Sequence, residues 1–508
     1  MTRTSNSIRN IKFSLIGQFL ILLSNFVTRT VFVRTLGSEY LGLNGLFTNI
    51  LSILSLAELG VGSAIVYSMY KPLAEKDEYK LKGLMNLYKS AYTSIGIFVL
   101  LVGSLLTPFL DLFINEIPKI QHIYLIYLMY VFNSGISYFY SYKRSLLIAD
   151  QKKYIESLYH NSFYLLRNFL QIIILFILKS FILYLSVQLI LTLIENIIIS
   201  KRVDYLYPIF KEKDNTQLEK KEKSTIFNNV KAMIYHKLGS VVVMGTDNLL
   251  IAMFVGLIEV GLYSNYLLII EALNQIFVVI FQSMMASVGN LGATATDEKK
   301  KFIFNCIDLY GFWLYSFATI SLFTLFNPFI NIWLGEEYVF PLEVVLLIVT
   351  SFYLTGRRKS VLTFRDALGL FWHDRYKSIF ESAINLIVSI SLAKLFGIQG
   401  IILGTIVSTL STSFWIEPFI LYKHGFNSSV KSYFCRYAKY TTFMIIVGGL
   451  TFYISSIFSD NTIPGFIGKI VVCIVIPNIA LLIYLWKSEE VQYLFQMFKN
   501  IIDKKIKR

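Results

Sequence analysis

Long apolar runs of roughly 20 residues, separated by short charged loops, set the pattern of this chain. Runs of that length cross a bilayer as helices, and they lack the two-residue alternation of a membrane strand. Lys12 to Val33 is the first predicted span and Leu41 to Tyr70 the second, the latter loosened near its middle by Gly60-Val61-Gly62. The third, Leu84 to Leu106, stops at Thr107-Pro108, where proline supplies no amide hydrogen. Ile123 to Leu147, Ile155 to Leu178 and Phe181 to Ser200 follow, the last two joined by a Lys179-Ser180 turn. Val230 to Val255 and Val260 to Val288 are the seventh and eighth, and a ninth ends at Pro328. The tenth starts near Pro341 and gives way to GRRKSVLTFRDALGLFWHDRYK, read as the most basic loop. Ser378 to Ala393, Ile401 to Tyr422, Tyr440 to Phe458 and Ile463 to Leu485 bring the expected number to about 14 transmembrane helices.

The pattern occurs twice. Gly42-Leu43-Asn44-Gly45-Leu46-Phe47 is answered 219 residues later (261 − 42) by Gly261-Leu262-Tyr263-Ser264-Asn265-Tyr266. Asp77-Glu78 returns as Asp297-Glu298, and LLTPFLDLFI with Pro108 returns as LFNPFINIWL with Pro328. Asn161 answers Asn385, and Glu195 answers Glu417. Evenly spaced landmarks of this kind mark duplicated lobes. The expected organisation is an N-lobe of six helices over 1–203, a cytoplasmic linker over 204–229 and a C-lobe of six helices over 230–424. Two additional helices over 425–486 and a basic amphipathic cytoplasmic tail over 487–508 complete it. An even number of spans in each lobe inserts both in one orientation, a recognised transporter plan.

Composition agrees. With 55% hydrophobic and 16% charged residues and a mean hydropathy of +0.60, the chain is too apolar for a soluble globular protein. The net charge of +15 sits in short alternate loops, around Lys80, Lys152, Lys220, Lys300, Arg357 and Lys431. The intervening loops carry Asp111, Glu116, Glu336, Glu337, Glu343 and Asp460. That asymmetry places both termini in the cytoplasm and replaces nucleic acid as the explanation of the charge. The basic, apolar start is expected to be an uncleaved first span, since no small-residue cleavage site follows it. Val491, Leu494, Phe495, Phe498, Ile501 and Ile502 share one face of the tail, which should lie on the membrane surface.

No nucleotide-binding loop, zinc-protease motif or nucleophile elbow occurs, and Cys306, Cys435 and Cys473 are too scattered for a disulfide framework or metal site. We expect no catalytic residues, no metal, no cofactor and no enzymatic step. What stands out is charge inside apolar spans, where each group costs at least about 2.5–3.5 kcal/mol unless it meets a cavity or partner. Arg29, Arg167 and Lys237 are read as facing a water-filled, substrate-binding cavity, because an arginine fork suits phosphate oxygens. Arg34 is a further substrate-binding candidate, although with Lys143, Arg144 and Arg365 it lies near a span end from which it can snorkel. Glu58, Asp247 and Glu271 are either structural partners of these cations or binders of a coupling proton or sodium ion. His236 is read as a helix-packing residue, and the 33 Tyr and 42 Phe mostly as lipid-facing or packing groups.

The stretches FVTRTVFVRTLGSEYLGLNGLFTNILSILSLAELGVGSAIVYSMYKPLAEKD, MGTDNLLIAMFVGLIEVGLYSNYLLI and LGATATDEKKK resemble those of Wzx-type polysaccharide flippases. These form the polysaccharide-transporter branch of the superfamily that also holds the MATE drug exporters and MurJ lipid II flippases. The resemblance covers nearly the whole chain through loose patterns. It implies an all-α polytopic membrane protein whose two parallel six-helix lobes form a MATE-like V, with two C-terminal helices appended. It also implies an undecaprenyl-diphosphate-linked oligosaccharide as substrate, moved by alternating access from the cytoplasmic to the outer leaflet of a bacterial cell membrane. Capsule or O-antigen assembly is the implied process, with membrane lipids and a polysaccharide polymerase as partners. A lipid II flippase and a cation-coupled MATE exporter share the architecture. A membrane polysaccharide polymerase, the enzymatic rival, would show a large catalytic loop, whereas the loops here are short outside the Lys211 region.

Overall fold

The computed structural model describes residues 3–58, 61–114, 120–210, 246–370 and 373–493, with scattered positions in 218–230 and at 495 and 496. Among these residues the regular structure is helical throughout, without a strand. The chain forms two compact units, Met1–Gly261 and Leu262–Arg508. Eight helical stretches among the described residues are long and apolar enough to cross a membrane, so the protein is a multi-pass membrane protein.

In the first unit, α1 is Arg3–Leu36, α2 Ser38–Leu54, α3 Val61–Glu75 and α4 Glu78–Leu105. Helices α5 (Ile123–Ala149), α6 (Lys153–Leu178) and α7 (Phe181–Leu206) follow. The second predicted span is broken as expected, but the break starts earlier, in a 3-10 turn over Ser55–Glu58. Gly62 supplies the reason for a glycine there: a Cβ would stand 2.3 Å from the Tyr92 hydroxyl and 2.9 Å from that of Tyr88. The α6–α7 turn is as predicted, with Lys179 left-handed at φ 48° and the Ser180 hydroxyl accepting from the Leu183 amide at 3.4 Å. Helix α1 packs along α6, α4 along α5, and α5 along α7.

The second unit contains most of α8 (Leu257–Thr294), then α9 (Asp297–Trp333) and α10 (Leu342–Ala367). The stretch α11 (Lys377–Ser411), the short α12 (Ser413–Ile420), α13 (Lys431–Ser455) and α14 (Ile463–Leu485) complete it. Two expectations are corrected. The ninth span does not end at Pro328; α9 runs through it to Trp333, as a membrane helix flanked by α10, α13 and α14 can. The segment GRRKSVLTFRDA is not a loop, because α10 continues to Ala367 and buries Arg357 to 1% exposure.

The stretch α11 is a hairpin, not one rod. Gly397, at φ 56° and ψ −131°, reverses the chain. The arms then zip together: Ser389 Oγ donates to the Ile401 carbonyl at 3.2 Å, Asn385 Nδ2 to Thr405 Oγ1 at 3.0 Å, and Ser413 Oγ to Glu381 Oε2 at 2.6 Å. The separate eleventh and twelfth spans read from the sequence are these two arms.

Helix caps preserve the duplication. Asp77 caps α4 by accepting from the Lys80 amide at 2.9 Å, and Thr296 caps α9 by accepting from the Lys299 amide at 3.5 Å. The caps are 219 residues apart (296 − 77), one residue out of step with the match of Asp77-Glu78 to Asp297-Glu298 at 220 (297 − 77).

Candidate functional site

Arginines 29 and 167 come from two helices that pack against each other, α1 and α6. Helix α6 carries Tyr164 and Asn168 on the turn around Arg167, and α1 answers with Ser24 and Asn25. Tyr164 donates to Asn25 Oδ1 at 2.6 Å, and the buried Asn168 donates to Ser24 Oγ at 2.9 Å. This amide and hydroxyl frame locks α1 to α6 and leaves both guanidinium groups half-buried. Arg167 lies over the Tyr164 ring, 4.4 Å from its centroid. The charges of Arg29 and Arg167 both act on the Tyr184 hydroxyl of α7, whose ring stacks on Phe181 at 5.9 Å. Arg29 also acts on Tyr130 of α5, and Tyr130 donates to Asn44 of α2.

The other predicted site residues are dispersed. Arg34 is exposed near the end of α1, Asp247 is half-buried in a helical segment over 246–254, and Glu271 is exposed on α8. Lys237 and His236 lie outside the described residues, as does most of the tail. Glu58 accepts a 2.5 Å hydrogen bond from Tyr92 and lines a cavity of about 860 Å³ with Gly62, Tyr88, Arg144, Ser145 and Glu156. A second cavity, about 440 Å³, lies between α2, α5 and α7 and is lined by Asn44, Ser52, Asn133, Ser137 and Gln188. Ser141 lines both.

Two ion clusters were invisible as clusters in the sequence. In the first unit, Arg144 Nη2 donates to Glu195 Oε1 at 2.7 Å and to Asn196 Oδ1 at 2.8 Å, with His160 Nδ1 3.1 Å from the same carboxylate. In the second, Arg358 forks Glu417 at 3.0 and 2.8 Å, reaches Glu381 at 3.2 Å, and shares Glu417 with Lys377. The duplicated glutamates therefore do the same work in each unit, closing the fifth and sixth spans, and the eleventh and twelfth, onto an arginine of the helix before them. Arg144, Lys143 and Arg365 do not simply snorkel; Lys143 pairs with Asp204 at 2.7 Å and Arg365 with Asp374 at 2.5 Å. The matched glutamates were the sequence signal for these clusters. Asp308 had none: at 1% exposure it accepts from Ser360 at 2.9 Å, pairs with Arg357 at 3.1 Å and lies 3.6 Å from Arg436.

Among the described residues no group of three or more His, Cys, Asp or Glu side chains is arranged to hold a metal ion. No family profile matches the chain, and no curated protein matches it in sequence. Solved structures do match. The inward closed conformation of the lipid II flippase MurJ superposes with a TM-score of 0.66 at 13% identity, covering 94% of this chain and 99% of that one. An inward-facing multidrug resistance MATE transporter of the MOP superfamily gives 0.59 at 14% identity, over 80% of this chain and 98% of that one. A mutant of the Vibrio cholerae MATE transporter VcmN gives 0.56 at 15% identity, over 84% and 99%. The chain thus has the all-α, polytopic membrane fold shared by the MurJ flippase and the MATE transporters.

Proposed function

We propose that this chain is a flippase for undecaprenyl-diphosphate-linked oligosaccharide, moving the head group from the cytoplasmic to the outer leaflet of a bacterial cell membrane by alternating access. Polymers of capsular or O-antigen type would consume the product. The carrying observation is that Arg29 and Arg167, on the packed helices α1 and α6, both lie within electrostatic reach of the Tyr184 hydroxyl. Two half-buried guanidinium forks suit a diphosphate. Arg34 and Lys237 act as further cations along its path, and Glu58, Asp247 and Glu271 as structural partners or coupling-ion groups. The lobes are those of the duplication, each of six helices, with the last two spans appended. A polar head group cannot cross hydrocarbon unaided, while its polyprenyl tail remains in lipid.

Lipid II is the second reading, supported by the likeness to MurJ along nearly the full length of both chains. A cationic-drug exporter fits the MATE likeness but not a paired-arginine site. The test is transbilayer movement of undecaprenyl-diphosphate oligosaccharide in liposomes holding the purified protein. Movement should fall at least tenfold in Arg29→Ala and Arg167→Ala, and also in Lys237→Ala. Cation export with no movement of any lipid-linked glycan would replace the flippase by the exporter.

A further inference from the structure

We propose that the two N-terminal cavities form a subsite for uncharged, hydroxyl-rich sugars and exclude acidic ones, an inference that rests on the flippase reading. Two polar stripes build it. Helix α2 presents Asn44, Thr48 and Ser52 at four-residue spacing, and α5 presents Asn133, Ser137, Ser141 and Ser145 at the same spacing. Four-residue spacing keeps each set on one helix face. The stripes line the 440 Å³ cavity, and that of α5 continues through Ser141 and Ser145 into the 860 Å³ one.

The hydrogen-bonding state of the stripe decides what it can bind. Ser137 donates to the Asn133 carbonyl at 2.9 Å, Ser141 to the Ser137 carbonyl at 2.8 Å, and Ser145 to the Ser141 carbonyl at 3.1 Å. With their hydrogens committed to backbone, Ser137 and Ser141 offer lone pairs to the cavity, while Ser145 Oγ also meets the Tyr88 hydroxyl at 2.8 Å. Asn133 also lines the cavity, and its side-chain oxygen is buried with no hydrogen-bond partner in the protein. At the far end stand the carboxylates of Glu58 and Glu156, while the guanidinium of Arg144 is held by Glu195 at 2.7 Å and lies 3.8 Å from Glu156. Serine acceptors and carboxylates, set beside the amide groups of Asn44, Asn133 and Gln188, match a ligand that both donates and accepts through hydroxyl and acetamido groups, as neutral sugars do. A uronate brings acceptor oxygens and negative charge to the same atoms, and is repelled.

Three undecaprenyl-diphosphate probes are titrated onto the full chain in detergent: sugar-free, carrying a neutral N-acetylhexosamine disaccharide, and carrying that disaccharide with one sugar oxidised to a uronate. The neutral probe should bind at least tenfold tighter than the uronate. Asn133→Leu and Ser137→Ala should each reduce that preference to threefold or less and leave sugar-free binding unchanged, which reports an intact fold. Equal binding of both disaccharide probes, or a preference that survives both substitutions, overturns the proposal. A second measurement separates it from the flippase reading. Ser137→Cys, placed in a chain whose exposed Cys435 is replaced by serine, is labelled with a maleimide in the presence of free methyl disaccharides. Protection by the neutral sugar alone, even if the sugar-free lipid fails to bind, supports the subsite and removes the diphosphate reading. Absence of protection overturns the subsite.

Discussion

Arg167 shows what an arginine in the middle of an apolar helix requires. Its charge is tolerated because Tyr164 provides a ring at 4.4 Å and α1 meets the surrounding turn with Asn25 and Ser24. Arg167→Lys keeps the charge but loses the planar fork and the ring stacking. Binding of sugar-free undecaprenyl diphosphate should therefore weaken about tenfold in a titration, the loss of one good charge-assisted hydrogen bond. Unchanged affinity would show that charge alone matters there. Asp308 is the opposite case, a structural anion shared by Arg357, Ser360 and Arg436. Asp308→Ala leaves two guanidinium groups facing each other in a buried site, at a cost of about 3–5 kcal/mol. The measurement is the thermal midpoint of the detergent-solubilised protein, which should drop sharply. Arg29 and Arg167 were legible in sequence because they interrupt long apolar runs. Asp308 was not, since its partners lie about 50 and 130 residues away and nothing local announces them.

At the scale of elements, hydrophobic runs located α5, α6 and α14 to within two residues, and placed the starts of α1 and α13 nine residues late, because their polar first turns extend beyond the apolar run. The predicted span Ile463 to Leu485 coincides with α14, and the Lys179-Ser180 turn falls between α6 and α7. Where the reading failed, packing overrode a local signal. Three cations in GRRKS end an apolar run, yet α10 continues because Asp308, Glu381 and Glu417 lie in wait for Arg357 and Arg358. Pro328 ought to stop a helix, but α9 proceeds through it between three neighbouring helices. The α11 hairpin depends on Gly397, whose backbone conformation is open to glycine and strained for other residues. Gly397→Val should destabilise the protein by about 1–3 kcal/mol, seen as a lower melting midpoint in detergent. Gly404→Leu should do at least as much damage, since even a Cβ there would stand 2.0 Å from Ser389 Oγ. A normal melting curve for Gly404→Leu would mean the arms are not pressed together as described.

For the whole molecule, the charge alternation between loops makes a topological prediction independent of transport. A chain with Cys435 replaced by serine and Ser459→Cys, in the turn between α13 and α14, should react with a membrane-impermeant maleimide on intact cells. Lys152→Cys, between α5 and α6, should react only after permeabilisation. Labelling of both from outside would break the fourteen-span scheme with cytoplasmic termini. The duplication appears in each unit as a capped helix start 219 residues from its counterpart and as a glutamate clasped by an arginine.

The sequence by itself determined the class of molecule, the places of most spans and the internal repeat. These depend on hydrophobicity and period, which are local properties of the chain. Tertiary structure alone decided which intramembrane charges are partnered. Arg144 and Glu195 are 51 positions apart, and Arg358 and Glu417 59, yet each pair is joined by a 2.7 or 2.8 Å contact. It also decided that Arg29 and Arg167 lie within electrostatic reach of Tyr184, and that the serines of α5 line a cavity instead of lipid. The physical reason is that a charge or hydroxyl in hydrocarbon is stabilised by whatever other helices bring to it, and that supply follows from packing rather than from neighbours in sequence.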